Sequence, residues 1–203
     1  MTGVQTCALP IFTLLAKLKR SIRFKALAAE GYPSGRYGSQ RWHLTENGLA
    51  ALEHVVDVGI ACLCAEAVGA MEKTLAITVE YMNTRKQFGV TIATFQALRH
   101  RVADMKMQLE LARSMSYYAS LKLTAPEEER RRALARAKYQ IGVSMRFVGQ
   151  QAVQLHGGIG VTDEYIVSHY FKRLTQMEMT FGDTLHQLGE MSGRMQDTAG
   201  VFA

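Results

Sequence analysis

A chain of 203 residues, 48% of them hydrophobic and 21% charged, can bury a substantial core and is too apolar for a disordered polymer. The net charge of +6 falls mainly in residues 17–25 and 130–138. The second of these runs follows Glu127, Glu128 and Glu129 and interleaves no aromatic residue, so it reads as a solvated helix face rather than a nucleic-acid surface.

Three cysteines make no disulfide framework. Cys62 and Cys64 lie two apart on a predicted helix, point to different faces and cannot share a metal by themselves. They read as small buried hydrophobes in a reducing compartment. No run approaches the roughly 18 apolar residues of a spanning helix. Residues 9–18 are apolar then basic, the reverse of a secretory signal. These features predict a soluble, cytoplasmic protein without membrane insertion.

Residues 1–45 show no sustained period and include the loop-like stretch Gly31-Tyr-Pro-Ser-Gly-Arg-Tyr-Gly38. They read as an irregular segment, with 46–192 as a helical domain and 193–203 as a tail. The first long helix is expected over about 46–83, with Leu52, Val56, Ile60, Leu63, Ala67, Met71 and Leu75 on one stripe. Residues 85–94 break the period, and no convincing strand is expected after residue 45.

A second helix is expected from about Thr94, a suitable N-cap, with Leu98, Val102, Met105, Leu109, Ala112 and Met115 as its stripe. Thr124, Pro126 and Glu127 then form a restart signal: a cap, a first-turn proline and a residue able to close a capping box. The third helix carries Leu134, Ala137, Ile141, Met145, Val148, Ala152 and Leu155 on one face and stops at His156-Gly157-Gly158. Two shorter helices are expected over about 164–171 and 173–191. The pattern predicts an all-α, up-down four-helix bundle with an irregular N-terminal segment.

Two segments resemble a known family. Thr84-Arg-Lys-Gln-Phe-Gly89, followed by Phe95-Gln96 and Ala103-Asp-Met105, is similar to the signature joining the first two bundle helices of acyl-CoA dehydrogenases. Gln154-Leu-His-Gly-Gly-Ile-Gly160, with Thr162 and Glu164 behind it, resembles that family's second signature. Both stand in the family's order, at the ends of predicted helices, within a resemblance covering about residues 46–192.

The resemblance implies FAD as cofactor and an acyl-CoA as substrate. Arg85, Gln87, Phe88 and Gln96 would hold one flavin, while Gln154, Gly157 and Gly158 would reach the flavin of a neighbouring subunit. The chemistry agrees with the assignment. A flavin pyrophosphate needs a cation with a donor fork, its rings need an aromatic or apolar surface, and a glycine turn lets backbone approach without a Cβ. Taken singly, each has a plainer meaning: Arg85 as a cation offsetting a helix dipole, the glycines as a helix stop. It is the two segments together, in register, that carry the resemblance.

The family's catalytic glutamate is missing. Counting without gaps from Gly157, its position falls on Phe181, followed by Gly182 and Asp183; the seat used in some branches, on the first bundle helix, is Gly59. Phenylalanine cannot accept a proton. Asp183 and Glu178 stand nearby as substitutes in a shifted geometry, each expected to point elsewhere on a helix. The run Lys172-Arg-Leu-Thr175 with Phe181-Gly-Asp183 looks like the small subunits of heteromeric acyl-CoA dehydrogenases, including those for pimeloyl-CoA and sterol side chains.

The expected function is therefore that of a fragment of a flavin-dependent acyl-CoA dehydrogenase, inactive alone. It would pair in a homo- or hetero-oligomer whose other subunit carries the base, and pass electrons to an electron-transfer flavoprotein. The alternative is a structural, oligomerising subunit with no chemistry of its own. Residues 1–45 match none of the domains that precede the bundle in the family.

Overall fold

A computed structural model describes residues 48–199, and the side chains of residues 50–193. The expected irregular segment 1–45 lies outside the described residues. The chain falls into two compact units, Met1–Gly59 and Ile60–Ala203. Of the first, only the leading turns of one helix are described.

That helix, α1, runs over Gly48–Thr84. A hairpin follows, with β1 (Lys86–Gln87) antiparallel to β2 (Val90–Thr91). A single 3-10 turn leads into α2 (Gln96–Lys122), then come α3 (Glu127–His156), a second 3-10 turn over Gly157–Val161, α4 (Ile166–Met179) and α5 (Thr184–Ala199).

The up-down course shows in the side chains that tie the helices. Glu72 on α1 pairs with Arg113 on α2 at 3.2 Å. On the next pair of helices, Arg101 donates to Gln151 at 3.2 Å and Ser144 to Gln108 at 2.9 Å, so α2 and α3 run antiparallel. Gly149 of α3 faces Phe171 and Leu174, while Gly142 faces Glu178 and Thr184, so the last segment runs back along α3. The bundle is all-α as expected, with its fourth side divided into α4 and α5.

The third stripe is legible in full: Leu134, Ala137, Ile141, Met145, Val148, Ala152 and Leu155 are all buried. The acidic first turn of α3 meets the positive end of the helix dipole, and Glu128–Arg132 closes an i,i+4 pair at 2.8 Å. On α1, Ile60, Leu63, Ala67, Met71 and Leu75 are buried, but Leu52 is exposed. Cys64 is buried, which pushes its thiol up to about 12, and Cys62 is half-buried.

Several expectations are corrected. By length and composition α1 is apolar enough to cross a membrane over Ala50–Thr84, contrary to the reading that no run approaches that limit; Ala67, Met71 and Leu75 pack as core, while Leu52, Val55 and Val79 stay exposed. Thr94 does not cap α2: its hydroxyl donates to the Thr91 carbonyl at 2.7 Å within the 3-10 turn, and Phe95 takes the N-cap place. Pro126 stands at the N-cap of α3 rather than in its first turn, and no side chain closes a capping box there. Residues 86–91 do pair as strands. Lys138, read as part of a solvated run, is 1% exposed. Finally, α4 continues past Lys172 because Val167, Leu174 and Met177 share a buried stripe, and the break falls at residues 180–183. The last helix runs on to Ala199, beyond the start of the expected tail.

Candidate functional site

The first motif sits where α1 ends. The Arg85 amide donates to the Tyr81 carbonyl at 2.8 Å, extending the helix by one bond, and the Arg85 carbonyl accepts from the Ile92 amide at 2.9 Å, closing the hairpin. Phe88 and Gly89 both take left-handed backbone, φ 55° and 80°, as a two-residue hairpin turn of the primed kind requires. Phe88 is consequently thrust outward, 91% exposed, with only the edge of Phe95 beside it at 6.1 Å. Arg85, Gln87 and Gln96 are exposed as well, and Arg85 forms no ion pair among the described residues.

The second motif sits where α3 ends. Gly157 has φ 64°, which a side chain would strain, and its amide bonds back to Gln154 and Val153. Nothing lies within 4 Å of a Cβ built on Gly157 or Gly158, so the backbone there is open to approach. The side chain of Gln154 is exposed.

Tyr81 joins the two motifs. Its ring stacks on His156 at 4.4 Å and its hydroxyl donates to the His156 carbonyl at 3.3 Å. Tyr165 closes the cluster, 5.1 Å from His156 and 6.1 Å from Tyr81. The end of α1 carrying Arg85 and the end of α3 carrying Gly157 are thus brought to the same end of the bundle. That junction was not among the sequence expectations. His156, beside the helix stop, is buried.

The His156 Nδ1 lies 2.7 Å from the Ala152 carbonyl and so carries the proton, leaving Nε2 buried without a partner. Burial drives its pKa below the ordinary 6.5, against the smaller upward pull of that backbone bond. A histidine whose folded pKa is depressed binds fewer protons folded than unfolded. Its stabilising contribution is therefore complete above pH 6.5 and is lost as the pH falls below it. Thermal melts between pH 7.5 and 5.5 are expected to show this loss in the native protein and a smaller one in His156→Phe; equal slopes would contradict it.

Phe181, on which the count from Gly157 places the glutamate, lies in the turn between α4 and α5, not on a helix. Phe181 is 44% exposed at φ 59° and Gly182 has φ 90°. Neither substitute carboxylate is unengaged. Asp183 accepts the His186 amide at 2.8 Å, capping α5. Glu178 is buried and accepts from Arg146 at 3.0 Å, from the Thr184 amide at 3.1 Å and from the Thr184 hydroxyl. Burial alone would raise the Glu178 carboxyl, but the Thr184 hydrogen bonds and the charges of Arg146 and Lys138 outweigh it and hold it below the ordinary carboxylate range. A carboxylate so satisfied is a poor proton acceptor at neutral pH.

At the start of α2 an open depression is lined by Thr94, Gln96, Arg99, His100 and Ala103, polar and cationic around the first turn. Among the described residues no group of His, Cys, Asp and Glu is arranged to hold a metal.

Residues 46–195 match the family described as acyl-CoA dehydrogenase, C-terminal domain. The acyl-CoA dehydrogenase IpdE2 of Mycolicibacterium smegmatis is 32% identical over 141 residues, covering 70% of this chain and 43% of that protein. The structure of butyryl-CoA dehydrogenase from Megasphaera elsdenii is similar with a TM-score of 0.68 and 31% identity, over 74% of this chain and 39% of that one. The ChsE4–ChsE5 complex from Mycobacterium tuberculosis is similar with a TM-score of 0.68 and 26% identity, over 73% and 40%. The chain thus spans less than half the length of these relatives.

Proposed function

This chain belongs to the acyl-CoA dehydrogenase family through its C-terminal domain, and from that premise we propose that it supplies flavin contacts and subunit pairing to the α,β-dehydrogenation of an acyl-CoA thioester. The observation that carries the reading is the Tyr81–His156 junction, which sets an exposed arginine and aromatic hairpin beside an open glycine turn.

The residues fit FAD. Arg85 offers a bidentate cation to a pyrophosphate, Gln87, Gln96 and Gln154 offer amide donors and acceptors, and Phe88 offers an uncovered ring. Gly157 and Gly158 leave room for backbone to meet a second flavin. When bound, FAD supplies the acceptor for the hydride that leaves the acyl β-carbon. This chain's part is to hold and orient. It does not take the α-proton, because residue 181 is phenylalanine and the two nearby carboxylates are committed to hydrogen bonds at helix ends.

The α-proton then goes to a carboxylate on a companion subunit of the same family. The relative assembled as a ChsE4–ChsE5 complex supports a two-component arrangement. An electron-transfer flavoprotein is the proposed electron acceptor and the cytoplasm the proposed location.

The flavin contacts are tested by titrating FAD against the assembled protein. Arg85→Ala is expected to weaken binding by about 10- to 100-fold, the loss of a charge-assisted hydrogen-bonded pair. Gly157→Val should weaken it too, by closing the turn to a ligand. Arg136→Ala, on the exposed face of α3, should leave it unchanged. Equal affinity in all three variants would contradict the assignment.

The second reading is a structural subunit with no chemistry. Phe181 favours it, as do Met107, Leu111 and Leu121, apolar residues left exposed along α2. Stable association with a companion in which this chain's own residues touch no flavin would establish it.

A further inference from the structure

Lys138 has no part in the flavin contacts, yet it is the largest fully buried side chain described, 1% exposed. Its ammonium donates to two backbone carbonyls, Met177 at 3.0 Å and Glu178 at 2.7 Å. These are among the last carbonyls of α4, which have no partner within the helix. Just beyond them the chain enters the turn of residues 180–183, where Phe181 adopts left-handed backbone. A bulky residue held there is strained and stays so only when its surroundings over-determine it.

We propose that Lys138 is a positioning residue: by gripping the Met177 and Glu178 carbonyls it fixes the turn that presents the side chain of residue 181. Glu178 is held at both of its ends. Its carbonyl is bound by Lys138, while its carboxylate reaches forward to the amide and hydroxyl of Thr184 at the start of α5. The two sides of the turn are therefore pinned through one residue. Gln187 holds the middle by donating to the Phe181 carbonyl at 2.9 Å. The grip depends on close approach across α3, since a Cβ on Gly142 would lie 2.6 Å from the Thr184 hydroxyl oxygen. The buried cation serves backbone geometry, and the geometry it serves is that of the residue standing where the family places its base.

The importance of this turn for catalysis rests on the function proposed above, but the positioning itself is measured on this chain without flavin or substrate. Failure of one therefore does not entail failure of the other. Amide hydrogen exchange is compared between the native protein, Lys138→Met and Ile141→Val, a core change on the same helix that leaves the grip intact. In Lys138→Met the amides of residues 180–187 are expected to exchange about tenfold faster than any change seen at the end of α3, as two buried carbonyls lose their donor. In Ile141→Val the same amides should follow the rest of the bundle. An even rise along the chain in Lys138→Met, or no rise at the turn, would overturn the proposal. If Lys138→Met does not fold, Lys138→Gln is read in the same way. Failure of both variants while Ile141→Val folds would mark Lys138 as a global stabiliser and likewise overturn it.

Discussion

Replacing Phe181 with glutamate is expected to raise the rate at which acyl-CoA bleaches the flavin at this chain's own site by about 10²- to 10⁴-fold, the usual contribution of a positioned general base. The measurement is stopped-flow absorbance of the flavin-loaded assembly, with the companion's own glutamate removed so that only residue 181 can act. The backbone does not oppose the change. Phe181 already bears the left-handed strain, its side chain is partly exposed, and the turn is fixed by Lys138, Glu178 and Gln187 rather than by the phenyl ring. Unchanged bleaching would mean either that residue 181 does not face the acyl chain or that the turn presents it differently in the assembly. Fast bleaching before the substitution would place a base elsewhere in this chain.

The largest effect on stability is expected on the buried face of α2. Leu109 is 1% exposed, and Leu109→Ala should cost about 2–5 kcal/mol of unfolding free energy through lost transfer energy and the cavity left behind. On the same helix Leu121 is 77% exposed, and Leu121→Ala should change stability by less than about 0.5 kcal/mol. Urea titration of both variants decides the matter. A similar cost at the two positions would show that Leu121 is buried in solution, as it would be if that face of α2 paired with another subunit.

Most of the fold could be read from the sequence because α3 keeps an unbroken apolar stripe from Leu134 to Leu155, and because glycine marks its end at Gly157. The hairpin of residues 86–91 could not, since strands of two residues are shorter than any period can reveal; only Gly89 and the β-branched Val90 and Thr91 hinted at it. The boundary between α4 and α5 was expected near residue 172, whereas Leu174 and Met177 carry the buried stripe across it. Gly182 was the available signal for the true break.

The candidate site divides in the same way. Arg85, Phe88, Gln96 and Gly157 stood out in the sequence because each residue type suits a flavin contact and the two motifs stand in register; the structure leaves all four exposed. The Tyr81–His156 stack that joins them was not, because those residues are far apart in sequence and only packing brings them together. Lys138 was missed for the same reason. In sequence it closes a basic run that reads as a solvated helix face, and its carbonyl partners lie on α4. Glu178 and Asp183 were sound candidates by type, but a carboxylate's availability depends on its donors: the first turn of α5 supplies Thr184 and His186, and tertiary structure supplies Arg146.

Acid sensitivity provides a separate check on Glu178. Its folded pKa is lowered, so its contribution to stability is complete above the ordinary value of 4.5 and is lost as the pH falls below it. That window is distinct from the one assigned to His156, which opens at pH 6.5.

The decisive measurement is the flavin absorbance spectrum of this chain co-purified with a companion subunit, recorded before and after addition of acyl-CoA. A yellow complex that bleaches only while the companion keeps its catalytic glutamate is the predicted result. Bleaching that survives the companion's Glu→Gln substitution would put the base in this chain, and a colourless complex would remove the flavin contacts assigned to Arg85, Phe88 and the Gly157 turn.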